Sequence, residues 1–78
     1  MKKKIYDALI GRSIDDARGI LEQFGVTDFV DEGIDDGCDG PEDDYVMKRC
    51  YDCGPLYVRI YYGNNTREIT YVDVEGDA

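Results

Sequence analysis

The amino-acid sequence predicts an α+β fold: one main amphipathic helix packed on a three-stranded antiparallel β-meander. Three observations carry that prediction. Ile14, Ala17, Leu21 and Phe24 recur at three- and four-residue spacing, with Ile20 beside them, which is the period of one helix face. Runs rich in Tyr, Val and Ile fill the C-terminal half, each bounded by turn-forming residues. Between these halves the segment 31–44, DEGIDDGCDGPEDD, holds eight of the chain's 18 acidic residues and no Lys or Arg.

Taken in order, MKKKIYDALIG has the basic start of a signal peptide, but its apolar stretch from Ile5 to Ile10 is short and broken by Asp7. Neither a signal peptide nor a transmembrane span is expected. Ile5, Tyr6, Leu9 and Ile10 suit one short extra helical turn beside the main helix. The main helix is expected over about 13–24, opened by Ser13 with Asp16 at the third helical position, a variant of the capping box. Gly25 ends it, because glycine takes the left-handed conformation that closes a helix. Gly19 inside it costs about 1 kcal/mol relative to alanine, a sign of close packing or of simple tolerance. Residues 26–30 suit a short strand or an extended connection. The meander is expected over 45–51, 56–62 and 66–74, with turns at Asp52-Cys53-Gly54-Pro55 and Gly63-Asn64-Asn65. In its middle strand Leu56, Val58, Ile60 and Tyr62 should face the helix, and Tyr57, Arg59 and Tyr61 should face outward. In the last strand Ile69 and Tyr71 compete with Thr70, Val72 and Val74 for the buried side, and a bulge would let the strand switch.

Seventy-eight residues make one domain, 1–78, with 31–44 as an acidic loop insertion. The formal charge of −9, from 18 Asp and Glu against nine Lys and Arg, argues against direct nucleic-acid binding, whose affinity comes from cations that release phosphate counterions. A protein with a basic surface, or a metal ion, is the natural counterpart. Three cysteines, an odd number, fit a reducing compartment and a cytoplasmic location. With no His in the chain, the usual base for a Ser or Cys nucleophile is missing, and no glycine-rich phosphate cradle appears; an enzyme is not expected.

The candidate partner-binding residues follow from charge and from sheet periodicity. Asp31, Glu32, Asp35, Asp36, Asp39, Glu42, Asp43 and Asp44 repel one another, and so dense a tract needs a cationic counterpart before ordering is repaid. Tyr57, Arg59 and Tyr61 on the outer sheet face are residue types that concentrate interface energy, although cross-strand packing alone would also account for them. Two metal alternatives stay open. Cys50 and Cys53 have the spacing of half a structural zinc site, with Cys38 as a third ligand and an Asp or a second protomer supplying the fourth; otherwise they are reduced strand and turn residues. Asp35, Asp39 and Asp43 fall at the first, fifth and ninth positions of a calcium loop with Gly40 at the sixth, but Gly37, Glu42 and Val46 break the third, eighth and twelfth.

Gly11-Arg12-Ser13 opening an amphipathic helix, a Gly at its end, and then LYVRIYYGNNTREITYV resemble the helix-then-meander pattern of the BamE/SmpA and β-lactamase-inhibitor-protein-like superfamily. The chain resembles, less fully, peptidase inhibitors of the potato-inhibitor-I type. The resemblance implies a helix on a small antiparallel sheet and members that mostly bind proteins without doing chemistry. It assigns no functional residue. The expected function is that of a small acidic, non-catalytic binding or inhibitor protein that engages a basic protein surface. By analogy in charge pattern, a narrower form is a phage anti-defence, anti-CRISPR-like protein whose carboxylates mimic nucleic-acid phosphates. The alternative is a metal-stabilised structural or adaptor module, holding Zn through its cysteines or Ca through the acidic loop.

Overall fold

The computed structural model describes residues 2–35 and 45–76. Two helices, α1 (Lys2–Leu9) and α2 (Ile14–Glu22), precede four strands, β1 (Phe29–Ile34), β2 (Val46–Cys53), β3 (Leu56–Gly63) and β4 (Ile69–Gly76). The strands form one antiparallel sheet in the order β1-β2-β3-β4. The α+β class and the meander stand, and two details are corrected. The N-terminal turn is a full helix, and the strand placed at 26–30 lies instead at Phe29–Ile34, running into the start of the acidic tract.

Helix α2 follows from local chemistry. Ser13 is extended, at φ −75° and ψ 143°, and its hydroxyl accepts from the Asp15 N–H at 3.1 Å. Asp15 and Asp16 set negative charge on the positive end of the helix. Gly25, at φ +79°, lets Val26 N–H return to Leu21 O at 3.0 Å, and Val26 buries itself beside that last turn. Helix α1 lacks such support, since Lys2, Lys3 and Lys4 crowd its positive end. Burial holds it: Ile5 and Leu9, one turn apart, are fully enclosed. The turn between the helices is stitched to the start of β4, with Gly11 N–H on Ile69 O at 3.0 Å, Ile69 N–H on Arg12 O at 2.8 Å and Ile14 N–H on Arg67 O at 2.7 Å.

Strand β3 alternates as its sequence predicts, burying Leu56, Val58, Ile60 and Tyr62 against the helices. The turn before it is tighter than expected. Cys53 pairs with Leu56, leaving Gly54 and Pro55 between them, and Gly54 at φ +70° meets the positive φ that short hairpins need. A bulge resolves the competition in β4: Tyr61 pairs with Tyr71 and Tyr62 with Ile69, so Ile69 and Val72 both reach the buried side. Helices, Val26, Tyr51 and these sheet residues share one core, with Met47, Cys53 and Val74 packed at its margin. Among the described residues, no helix lies on the other face of the sheet.

Candidate protein-binding face

Cross-strand register builds the uncovered face row by row. Asp31 pairs with Cys50, Cys50 with Arg59 and Arg59 with Asp73, while Gly33, Lys48, Tyr61 and Tyr71 make the next row and Asp52, Tyr57 and Glu75 the row on the other side. Tyr57, Arg59 and Tyr61 therefore lie outward as predicted, and Asp31 shares their face, two strands away. Tyr71, which the ambiguous last strand concealed, joins them at 53% exposure, its ring 5.6 Å from that of Tyr61.

Arg59 is held within this face. Its Nε lies 3.2 Å from Asp73 Oδ2, its Nη2 also binds Asp73 and Glu75, and its guanidinium sits 5.5 Å above the Tyr57 ring. Asp73 first, aided by Glu75, raises the Arg59 pKa and keeps it charged. A hydrogen bond with the Cys50 thiol raises the Tyr57 phenol. Because Asp73 and Glu75 offset Arg59, Asp31 and Asp52 outnumber Lys48 among the described residues of the face, which is negative with a band of phenols across it.

Glu32 turns the other way. It accepts from Arg49 Nε at 2.8 Å and from the Tyr62 hydroxyl on the helix side of the sheet. Burial works against its charge, but the bonds from Tyr62 and Arg49 outweigh that and lower its pKa. Tyr62 is raised by burial and by this carboxylate. Arg49 and Arg67 flank the Tyr62 ring at 5.7 and 5.6 Å, and Arg67 Nη2 reaches Asp15 Oδ1 at 2.7 Å. Sequence reasoning missed Arg49, Tyr62 and Arg67 as a group. The available signal was Arg49 itself, a charge at an inward position between Met47 and Tyr51.

The helix layer does not reach over β1. A cleft of about 430 Å³ opens there, lined by Arg18, Glu22, Val26, Thr27, Phe29, Glu32, Arg49 and Tyr51. Phe29 meets Tyr51 edge to face, with ring centroids 6.0 Å apart.

Of the remaining expected site residues, Asp35 follows β1 and bonds through its N–H to Val46 O at 2.9 Å. Asp36, Cys38, Asp39, Glu42, Asp43 and Asp44 lie outside the described residues, as does most of the calcium-loop register. The expected loop at 31–44 is corrected at its start, where residues 31–34 are strand. Cys50 and Cys53 lie on opposite sides of the sheet. Cys50 lies in the row of Arg59 on the uncovered face, whereas Cys53 packs at the core margin with its Sγ donating to Gly25 O at 3.1 Å. Among the described residues, no group of three or more His, Cys, Asp or Glu is placed to hold a metal, and no helix is long and apolar enough to cross a membrane. No protein family, curated protein or solved structure matches the chain.

Proposed function

We propose that this chain is a non-catalytic binding protein that engages a cationic protein surface through its uncovered sheet face and the acidic tract that continues from β1. The observation that carries this reading is the row Asp31, Cys50, Arg59, Asp73, which sets the first carboxylate of the tract on the same face as Tyr57, Tyr61 and Tyr71. Charge distribution supports it. Outside segment 31–44 acidic and basic residues nearly balance, ten against nine, so the tract carries almost the whole charge of −9. Carboxylates steer a basic partner toward the face, and phenols supply contact area at low entropic cost. The resemblance to helix-plus-meander binding proteins points the same way. In the narrower form, a phage anti-defence role of anti-CRISPR type, the cationic surface is a nucleic-acid groove and the carboxylates stand in for phosphates.

The test is capture from extracts of the source cell on immobilised wild type and on two variants, Asp35→Lys/Asp36→Lys/Asp43→Lys/Asp44→Lys and Tyr61→Ala. A specific partner should be retained by wild type, lost with rising salt, lost to the charge-reversed variant and weakened by Tyr61→Ala. Competition by duplex or single-stranded nucleic acid would mark the groove-binding form. Equal retention by all three proteins would overturn the proposal.

A further inference from the structure

We infer that the β1 edge, with the cleft behind it, docks an extended cationic segment of a partner protein, which adds to the sheet as a further strand. This rests on the cationic-partner reading above and adds a mode of binding to it. Among the described residues, β1 has a neighbour on one side only. Asp35 N–H bonds to Val46 O, and Gly33 lies opposite Lys48. The two-residue period of an antiparallel ladder then directs the backbone groups of Asp31 and Gly33 toward β2 and those of Glu32 and Ile34 toward the open edge. Glu32 N–H is held by its neighbour, the Asp31 carboxylate, at 2.8 Å, and the Ile34 amide and both carbonyls face outward.

The side chains of this strand are unusual for a blunted edge. All six residues of β1 are exposed, and three are large and apolar: Phe29 at 56%, Val30 at 50% and Ile34 at 60%. Phe29 and Ile34 pair with Tyr51 and Met47, so they share the helix side, where the cleft runs between β1 and the Arg18 and Glu22 side chains of α2. On the uncovered side the chain presents Asp31 and, just past the end of β1, Asp35. An added strand with apolar residues at every second position would cover Phe29 and Ile34, and Lys or Arg at the positions between would lie beside Asp31 and Asp35. Charge selects this occupant over a second copy. Pairing β1 with itself would bring together the same carboxylates on two chains of −9 each.

The test uses the full chain and three synthetic peptides: one alternating Lys and Val, the same peptide with alternate backbone amides N-methylated, and one alternating Glu and Val. Binding is followed by amide chemical shifts and hydrogen exchange. The Lys/Val peptide should bind, slow exchange at Glu32 and Ile34, and leave Tyr57 and Tyr61 unshifted. N-methylation should weaken it by about tenfold or more, since lost main-chain bonds reach that size. Ile34→Pro should do the same, because proline is tolerated on an edge strand where its missing N–H faced solvent. Equal binding of the methylated peptide would overturn strand addition while leaving the cationic partner standing. Equal or tighter binding of the Glu/Val peptide would overturn the cationic reading itself. Binding of none of the three, or a dimer in sedimentation with its β1 edge protected, would overturn the docking site.

Discussion

Glu32 ties the edge strand to the core, and its removal should cost more than that of any other carboxylate on the described surface. Its carboxylate serves two groups at once. The Tyr62 hydroxyl belongs to a side chain 2% exposed, and Arg49 is only 18% exposed along its side chain. In Glu32→Ala the phenol loses a charged acceptor, worth about 1.5–3 kcal/mol, whereas Arg49 keeps the Tyr62 ring and some water from the cleft and loses roughly 1 kcal/mol or less. The expected sum is roughly 1.5–4 kcal/mol, a large part of the 5–15 kcal/mol that typically holds a domain together. In a chain this short each kcal/mol moves the melting temperature by about 4–8 °C, so a fall of roughly 6–32 °C should follow. Glu32→Gln, which keeps a neutral acceptor, should lose about half as much. Urea and thermal denaturation measure the loss, and faster exchange at the Gly33 amide would show that β1 opens first. A double-mutant cycle with Tyr62→Phe isolates the shared bond, with an expected coupling of about 1 kcal/mol or more. A change under about 0.5 kcal/mol in Glu32→Ala, or zero coupling in the cycle, would refute the reasoning.

Ile60 and Leu21 are fully enclosed, and truncating either to Ala should destabilise by about 2–5 kcal/mol in chemical denaturation; a negligible change would contradict their place in the core. Gly19 is helical and a Cβ there meets nothing within 4 Å, so Gly19→Ala should raise stability by about 0.5–1 kcal/mol, and a lower midpoint would show an unseen contact. Gly76 is the opposite case: at φ +113° a Cβ would come within 1.9 Å of Pro55 O, so Gly76→Ala should lower the melting temperature or detach the end of β4, seen as faster exchange there. Stability should also fall in acid. The folded Glu32 and Asp15 carboxyls are held below their ordinary values of 4.5 and 3.8, Asp15 mainly by its bond to Arg67, so their contribution is present above those values and is lost as pH falls below them. Denaturation midpoints from pH 6 downward check this, and Glu32→Gln should flatten the decline.

Much of the fold is written in short-range chemistry. The Ser13 cap, the stop at Gly25 and the inward set Leu56, Val58, Ile60 and Tyr62 all follow from residues within a few positions of one another, whereas the ambiguous last strand was decided by its bulged pairing with β3. Periodicity also placed Tyr57, Arg59 and Tyr61 on the outward face before any tertiary contact was known. Helix α1 was less legible, because three lysines at its start oppose helix formation and only the burial of Ile5 and Leu9 makes it pay. β1 was legible least. FVDEGI has no buried position and no alternation, so only Phe29 and Val30 fell within the expected short strand, and pairing with β2 extends it through Ile34.

The sequence by itself determined the class of fold, the main helix, the meander and the concentration of negative charge in 31–44, since each depends on spacing, turn chemistry or composition. Tertiary structure alone decided what that charge meets. Register across four strands put Asp31 on the same sheet face as the phenols, turned Glu32 inward to Arg49 and Tyr62, and parted Cys50 from Cys53. The physical reason is the two-residue period of a strand: neighbours in sequence face opposite sides, and a single bulge determines which of them the core receives.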